Sequence, residues 1–172
     1  GSSNAAFGAN ALYTNNTSYN CAFGTSALTN NTASGVSAFG FNALNQNSSG
    51  INTAVGYASL QSNTTGSANT AVGYNALAAN NASYAWNNTA VGHSALSAST
   101  TGNGNVAVGS QTLINNVSGI ENVAIGFQSL FYNTDSYNTA VGANSMLSNT
   151  SGYHNVAVGW NSLHDNVSGY WN

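Results

Sequence analysis

The chain has 172 residues, enough for one domain with a core, yet it holds no Lys, Arg or Pro, and Glu121, Asp135 and Asp165 are its only acids. Charged residues make up 2% of it, where about 25% is usual, so solubility has to come from Asn, Ser, Thr and Gln. A chain without Lys or Arg cannot neutralise phosphates by counterion release, which argues against nucleic acid as a partner; it has no basic patch for anionic lipids and no apolar run near the roughly 20 residues that span a bilayer.

Along the chain, Gly1-Ser-Ser-Asn4 leads into Ala5-Ala-Phe-Gly8, and this four-residue block then recurs at Cys21–Gly24, Ser37–Gly40, Thr53–Gly56, Thr70–Gly73, Thr89–Gly92, Val106–Gly109, Val123–Gly126, Thr139–Gly142 and Val156–Gly159. Successive block glycines are 16, 16, 16, 17, 19, 17, 17, 16 and 17 residues apart. Ala stands two before every glycine, from Ala6 to Ala157, and a Leu column four after it runs from Leu12 to Leu163. Four before the glycine stand Asn4, Asn20, Asn52, Asn69, Asn88, Asn105, Asn122, Asn138 and Asn155, with Val36 the exception.

Such a period is too short for a helical hairpin repeat and suits one coil of a β-solenoid, with two short strands and two turns. The β-branched residues lie in N-T-A-V-G, and N-T-T-G and N-V-S-G carry turn chemistry. The fold class expected is therefore all-β: a parallel β-solenoid, or β-roll, of about ten 16–17-residue coils, with residues 1–172 forming one repeat domain. Equivalent residues then stack about 4.8 Å apart, and the Asn column reads as a hydrogen-bonded ladder. The 19-residue spacing predicts a bulged turn around Ala82–Trp86.

Alternation along N-T-A-V-G puts Thr or Val, then Val, Ile or Phe, on one face and Asn, Ala and Gly on the other. Both faces are small or apolar, as in strands buried on both sides. One of these faces is expected to pack inward with the Leu column, and the other to need a second surface, most simply a neighbouring chain in a trimer. The chain stops in mid-repeat at Gly169-Tyr-Trp-Asn172 without a distinct cap; the expectation is a segment of a longer fibre, or a subunit that stacks end to end into a polymer.

At residues 101–109 (T-G-N-G-N-V-A-V-G), 118–126 (S-G-I-E-N-V-A-I-G) and 151–159 (S-G-Y-H-N-V-A-V-G) the chain resembles the YadA-like head repeats of trimeric autotransporter adhesins. The N-T-A-V-G-Y-N-A-L form at 69–77 is similar to repeats of phage and bacterial tail-fibre-type proteins. The resemblance implies a left-handed β-roll, three chains wound together, and an adhesive or host-recognition role outside the cell, on a cell surface or a virion fibre. The repeat here is longer than the family's after the Leu, and family heads carry more charge.

No catalytic constellation is legible. The three acids fall in different repeats, no acid–base column accompanies the Ser and Thr residues, and no cofactor motif is present, so the chain reads as no enzyme. Cys21 is alone, and His154 and His164 are the sole hypothetical metal pair, more simply read as exposed polar residues. Sequons begin at Asn15, Asn16, Asn30, Asn47, Asn63, Asn81, Asn87, Asn116, Asn149 and Asn166, mostly after the Leu, and offer glycosylation along one edge, foremost at Asn16, Asn30, Asn47, Asn63, Asn81, Asn116, Asn149 and Asn166. Phe41, Tyr57, Tyr74, Phe127 and Trp160 follow the block glycines and offer either a surface for stacking on cell-surface glycans or an interface. Thr53, Thr70, Thr89 and Thr139 form an interrupted column that suggests ice binding as a lesser alternative.

Overall fold

The computed structural model describes all residues, 1–172. Ten three-residue strands form one parallel sheet: β1 (Ala5–Phe7), β2 (Cys21–Phe23), β3 (Ser37–Phe39), β4 (Thr53–Val55), β5 (Thr70–Val72), β6 (Thr89–Val91), β7 (Val106–Val108), β8 (Val123–Ile125), β9 (Thr139–Val141) and β10 (Val156–Val158). They lie in sequence order, each paired with the next. The expected β-solenoid is the fold found. Register is strict: Ala22 pairs with Ala38, Ala38 with Ala54, and so along the rod.

Each coil has one strand, not the two expected. The remainder is turn, and it is the turns that join most of the coils: of 101 backbone hydrogen bonds, 18 lie within strands. Gly24 N–H donates back to Phe7 O at 2.8 Å and Ser26 N–H to Ala9 O at 2.8 Å, while Leu12 N–H donates forward to Ala27 O at 3.1 Å. Backbone groups that a second strand would have paired are thus satisfied by turn-to-turn bonds.

The turn begins at the block glycine, whose φ lies between 122° and 138°, a region open to glycine alone. Two and four residues later the chain is left-handed again, as at Asn10 (φ 58°) and Leu12 (φ 53°). Asn tolerates that conformation; Leu does not, at about 1–2 kcal/mol. Burying a Leu side chain returns about 1.5–3 kcal/mol. Leu28, Leu44, Leu60, Leu77, Leu96, Leu113 and Leu130 are all fully buried, and Met146 takes the Leu place in the ninth coil.

Those side chains pack on the strand alanines, including Ala22, Ala54, Ala90 and Ala124, in one continuous core. The inner face of each strand is therefore Asn, Ala and Gly, and the face of Thr or Val followed by Val, Ile or Phe points outward. Alternation alone fits either face inward, and the structure selects the Asn-Ala-Gly face. A coil with a single strand closed by a tight turn is too thin for more than Ala beneath Leu. The bulge expected at Ala82–Trp86 is present: Ala85 N–H closes on Ala82 O at 3.1 Å, and Thr70 still pairs with Thr89 across the insertion.

Candidate functional site

The outward strand face runs the length of the rod. In its central coils it presents Thr53, Thr70, Thr89, Val106 and Val123 beside Val55, Val72, Val91, Val108 and Ile125, all intermediate or exposed. In the first coils Phe7, Phe23 and Phe39 continue the second column as stacked rings, 6.0 and 5.2 Å apart. No charged residue interrupts it. Ten coils at about 4.8 Å and four residues at about 3.3 Å give a face on the order of 600 Å². That is the upper end of what a monomer leaves apolar and exposed.

Phe41, Tyr57, Tyr74 and His93 line one border of this face as a stacked column, with centroids 5.2, 5.1 and 5.1 Å apart and planes within 15°. Stacking at coil spacing covers ring faces with ring faces. The inner members, Tyr57 and Tyr74, have no free face for a sugar, which corrects the glycan-stacking reading there; their edges remain at the surface. Phe127 and Trp160 have Ser110 and Ala143 as register neighbours in place of rings, and both are exposed. Within the bulge Tyr84 and Trp86 are exposed too, 6.0 Å apart and tilted by 45°. Their signal in the sequence was the insertion itself.

The Asn ladder forms as expected and binds backbone as well as side chain. Asn105 Oδ1 accepts from Asn122 N–H at 3.0 Å, and Asn105 Nδ2 donates to Gly119 O at 2.9 Å. The same pattern recurs at Asn52, Asn69, Asn88, Asn138 and Asn155. Asn4 and Asn20 receive the N–H groups of Asn20 and Val36, and Asn122 that of Asn138.

A second ladder went unread in the sequence. Seven residues after the block glycine, Asn31 donates to Asn15, Asn47 to Asn31, Asn63 to Asn47 and Asn80 to Asn63, at 2.8–2.9 Å. It resumes from Asn116 through Asn133 and Asn149 to Asn166. A third ladder uses hydroxyls one position later: Thr32 donates to Ser48 O, Ser48 to Thr64 O at 2.7 Å, and Thr64 to Asn81 O at 2.9 Å.

Where a turn Ser or Thr stands two positions after a residue of the second Asn ladder, as Ser49, Thr65, Ser118, Ser151 and Ser168 do, a sequon arises as a by-product. Asn47, Asn63, Asn116 and Asn149 are fully buried, and Asn166 is bonded to Asn149 and Gly169. The amide nitrogens of the four buried residues are engaged, which overturns glycosylation at Asn47, Asn63, Asn116 and Asn149: the folded rod has no room for a glycan there. Asn166 is half-buried. Asn16, Asn30 and Asn81 are exposed.

The titratable groups do not converge. His154 is sandwiched between Tyr137 and Trp171 at 4.8 and 4.3 Å, and His164 Nδ1 lies 2.6 Å from Asp165 Oδ1. No three His, Cys, Asp or Glu side chains gather, Cys21 is a free thiol, and the surface has no cavity. What the molecule offers is an uncharged sheet face, hydrogen-bonded edges and one aromatic bulge. The chain matches no family model, no curated protein and no solved structure.

Proposed function

We propose that the chain is an extracellular structural and adhesive fibre module that assembles with copies of itself through the outward sheet face, in the manner of YadA-like heads and tail-fibre-type rods. The observation that carries this is the uncharged strip of Val, Ile, Phe and Thr along every coil. Burial of about 600 Å² per chain at about 25 cal/mol per Å² is worth roughly 15 kcal/mol before the cost of association, and three such faces meet around one axis. Coil-to-coil bonds and side-chain ladders make the rod stiff. The absence of Lys and Arg removes every tryptic site, which suits exposure to proteases.

Light scattering on the native particle tests the reading. A discrete trimer supports it, and the double substitution Val72→Asp with Val108→Asp, two coils apart, should then yield monomers with an intact fold. A wild-type monomer would sink it. A polydisperse polymer with a chain mass above 17.4 kDa would favour the alternative, a glycosylated filament with sugars on Asn16, Asn30 or Asn81.

One observation favours a further reading. Thr53, Thr70, Thr89 and Thr139 turn outward beside Val, so they are available to order water as ice-binding faces do. Cys21, Ser37, Val106, Val123 and Val156 interrupt the Thr column and make this the lesser reading; absence of thermal hysteresis at high protein concentration would end it.

A further inference from the structure

On a rod of equivalent coils, recognition at one place needs a feature that one coil alone possesses. The bulge Ala82–Trp86 is such a feature. Its base is pinned: Ala85 is fully buried, its N–H closes on Ala82 O at 3.1 Å, and its carbonyl accepts from Asn69 Nδ2 at 2.8 Å. Its flanks are fixed as well. Ser83 Oγ lies 3.2 Å from Thr65 Oγ1, and Trp86 O accepts from Gly104 N–H at 2.9 Å.

From this base Tyr84 and Trp86 project, 72% and 44% exposed. Their planes differ by 45°, so neither ring covers the other, unlike the stacked column of Tyr57 and Tyr74. Asn81, Ser83 and Asn87, their near neighbours along the chain, are exposed as well. The chain has no Lys or Arg, so an anionic ligand at the bulge finds no cationic side chain of that kind to neutralise it. The nearest acid along the adjoining column, Glu121, stands two coils from Asn87 and disfavours anions further.

We infer that the bulge is a binding element for neutral saccharides, in which Trp86 and Tyr84 take the apolar C–H face of a sugar ring while neighbouring amides and hydroxyls meet its hydroxyl groups. The inference rests on the adhesive reading above and gives it a ligand class. One copy per chain implies weak single-site binding, multiplied by the number of chains in the particle.

The test uses unglycosylated full-length protein on an array of neutral oligosaccharides ending in glucose, galactose or N-acetylglucosamine, followed by titration calorimetry with the best binder. Trp86→Ala and Tyr84→Ala should each weaken binding about tenfold or more, equivalent to about 1.4 kcal/mol. Trp86→Phe should retain part of it, and circular dichroism and native mass should not change. If wild type binds and both alanine variants bind equally well, the bulge assignment is overturned while the adhesive reading stands. If wild type binds no neutral saccharide, the inference is overturned, and the native mass decides the fibre reading separately.

Discussion

The second Asn ladder breaks at one coil, and the break is open to repair. Nine coils carry Asn seven residues after the glycine, and the sixth carries Ser99. Two buried atoms are left without a partner at that step, Asn80 Oδ1 and Ser99 Oγ. In the preceding step Asn80 Nδ2 gives Asn63 Oδ1 a bond of 2.8 Å; Ser99 is too short to do the same for Asn80. Ser99→Asn should place an amide donor on Asn80 Oδ1, reach Gly102 O as Asn116 reaches Gly119 O at 3.0 Å, and offer an acceptor to Asn116 Nδ2.

An unsatisfied buried polar atom costs about 1–3 kcal/mol, and a satisfied bond contributes about 1. Side-chain ordering takes some of that back, so the net expectation is stabilisation by about 1–3 kcal/mol. For a chain of this size that raises the melting temperature by about 2–10 °C. Room exists: a Cβ built on Gly102 lies 3.0 Å from Ser99 Oγ, and at the equivalent Gly66 it lies 2.5 Å from Asn63 Oδ1, where Asn is native. Thermal melts followed by circular dichroism measure the effect, with Ser99→Ala as the near-neutral control. A melting point for Ser99→Asn at or below wild type would refute the reasoning, as would a loss beyond about 1 kcal/mol for Ser99→Ala, which would mean that the hydroxyl has a partner.

Val36→Asn fills the one gap in the first ladder, giving the Asn52 N–H the side-chain acceptor its counterparts have; about 1 kcal/mol of stabilisation is expected, read by guanidinium midpoint. Gly109→Ala puts a Cβ 2.6 Å from Gly126 O at φ 136°, so it should lose several kcal/mol or fail to fold. Gly35→Asn, at φ 75° with nothing within 4 Å, should change the melt by less than about 1 kcal/mol, because Asn accepts the left-handed conformation.

The coil was legible because a glycine that must hold φ near 130° cannot drift out of phase. The core was legible in the Ala and Leu columns. The sidedness of the strands was not legible in the alternation, because both faces are small or apolar. Ala before every glycine is constant, whereas the positions flanking it range over Ala, Cys, Ser, Thr and Val on one side and Phe, Val and Ile on the other. An interior of fixed width demands constant size, and variation marks the outside. The second Asn ladder was hidden because its residues double as sequons. Nothing in Leu itself announces a left-handed backbone: the core imposes it against local preference, although Asn10, Asn42, Asn75, Asn144 and Asn161 two residues earlier in the turn carry part of that signal.

The scarcity of charge also follows from the register. Copying one repeat stacks each residue on its own kind, about 4.8 Å away. Two like charges at that distance repel by about 0.9 kcal/mol in bulk water and about 3.5 kcal/mol at an effective dielectric of about 20. An amide in the same column donates and accepts at once and gains from each neighbour. The three acids obey this: Glu121 lies between Gly104 and Tyr137 in its column, Asp135 between Gly119 and Gly152, and Asp165 follows Ser148. Asn30, Gln46 and Ser62 are consecutive exposed members of one column and provide the test. Gln46→Lys alone should move stability by no more than about 0.5 kcal/mol. The triple variant N30K/Q46K/S62K should be about 2 kcal/mol worse than the sum of its single variants at low salt, from two adjacent repulsions. That excess should shrink as salt shortens the screening length to about 10 Å at 0.1 M and about 3 Å at 1 M, and N30K/Q46E/S62K should abolish it at any salt. Additive, salt-independent melts across the four variants would mean that coil register does not set the composition.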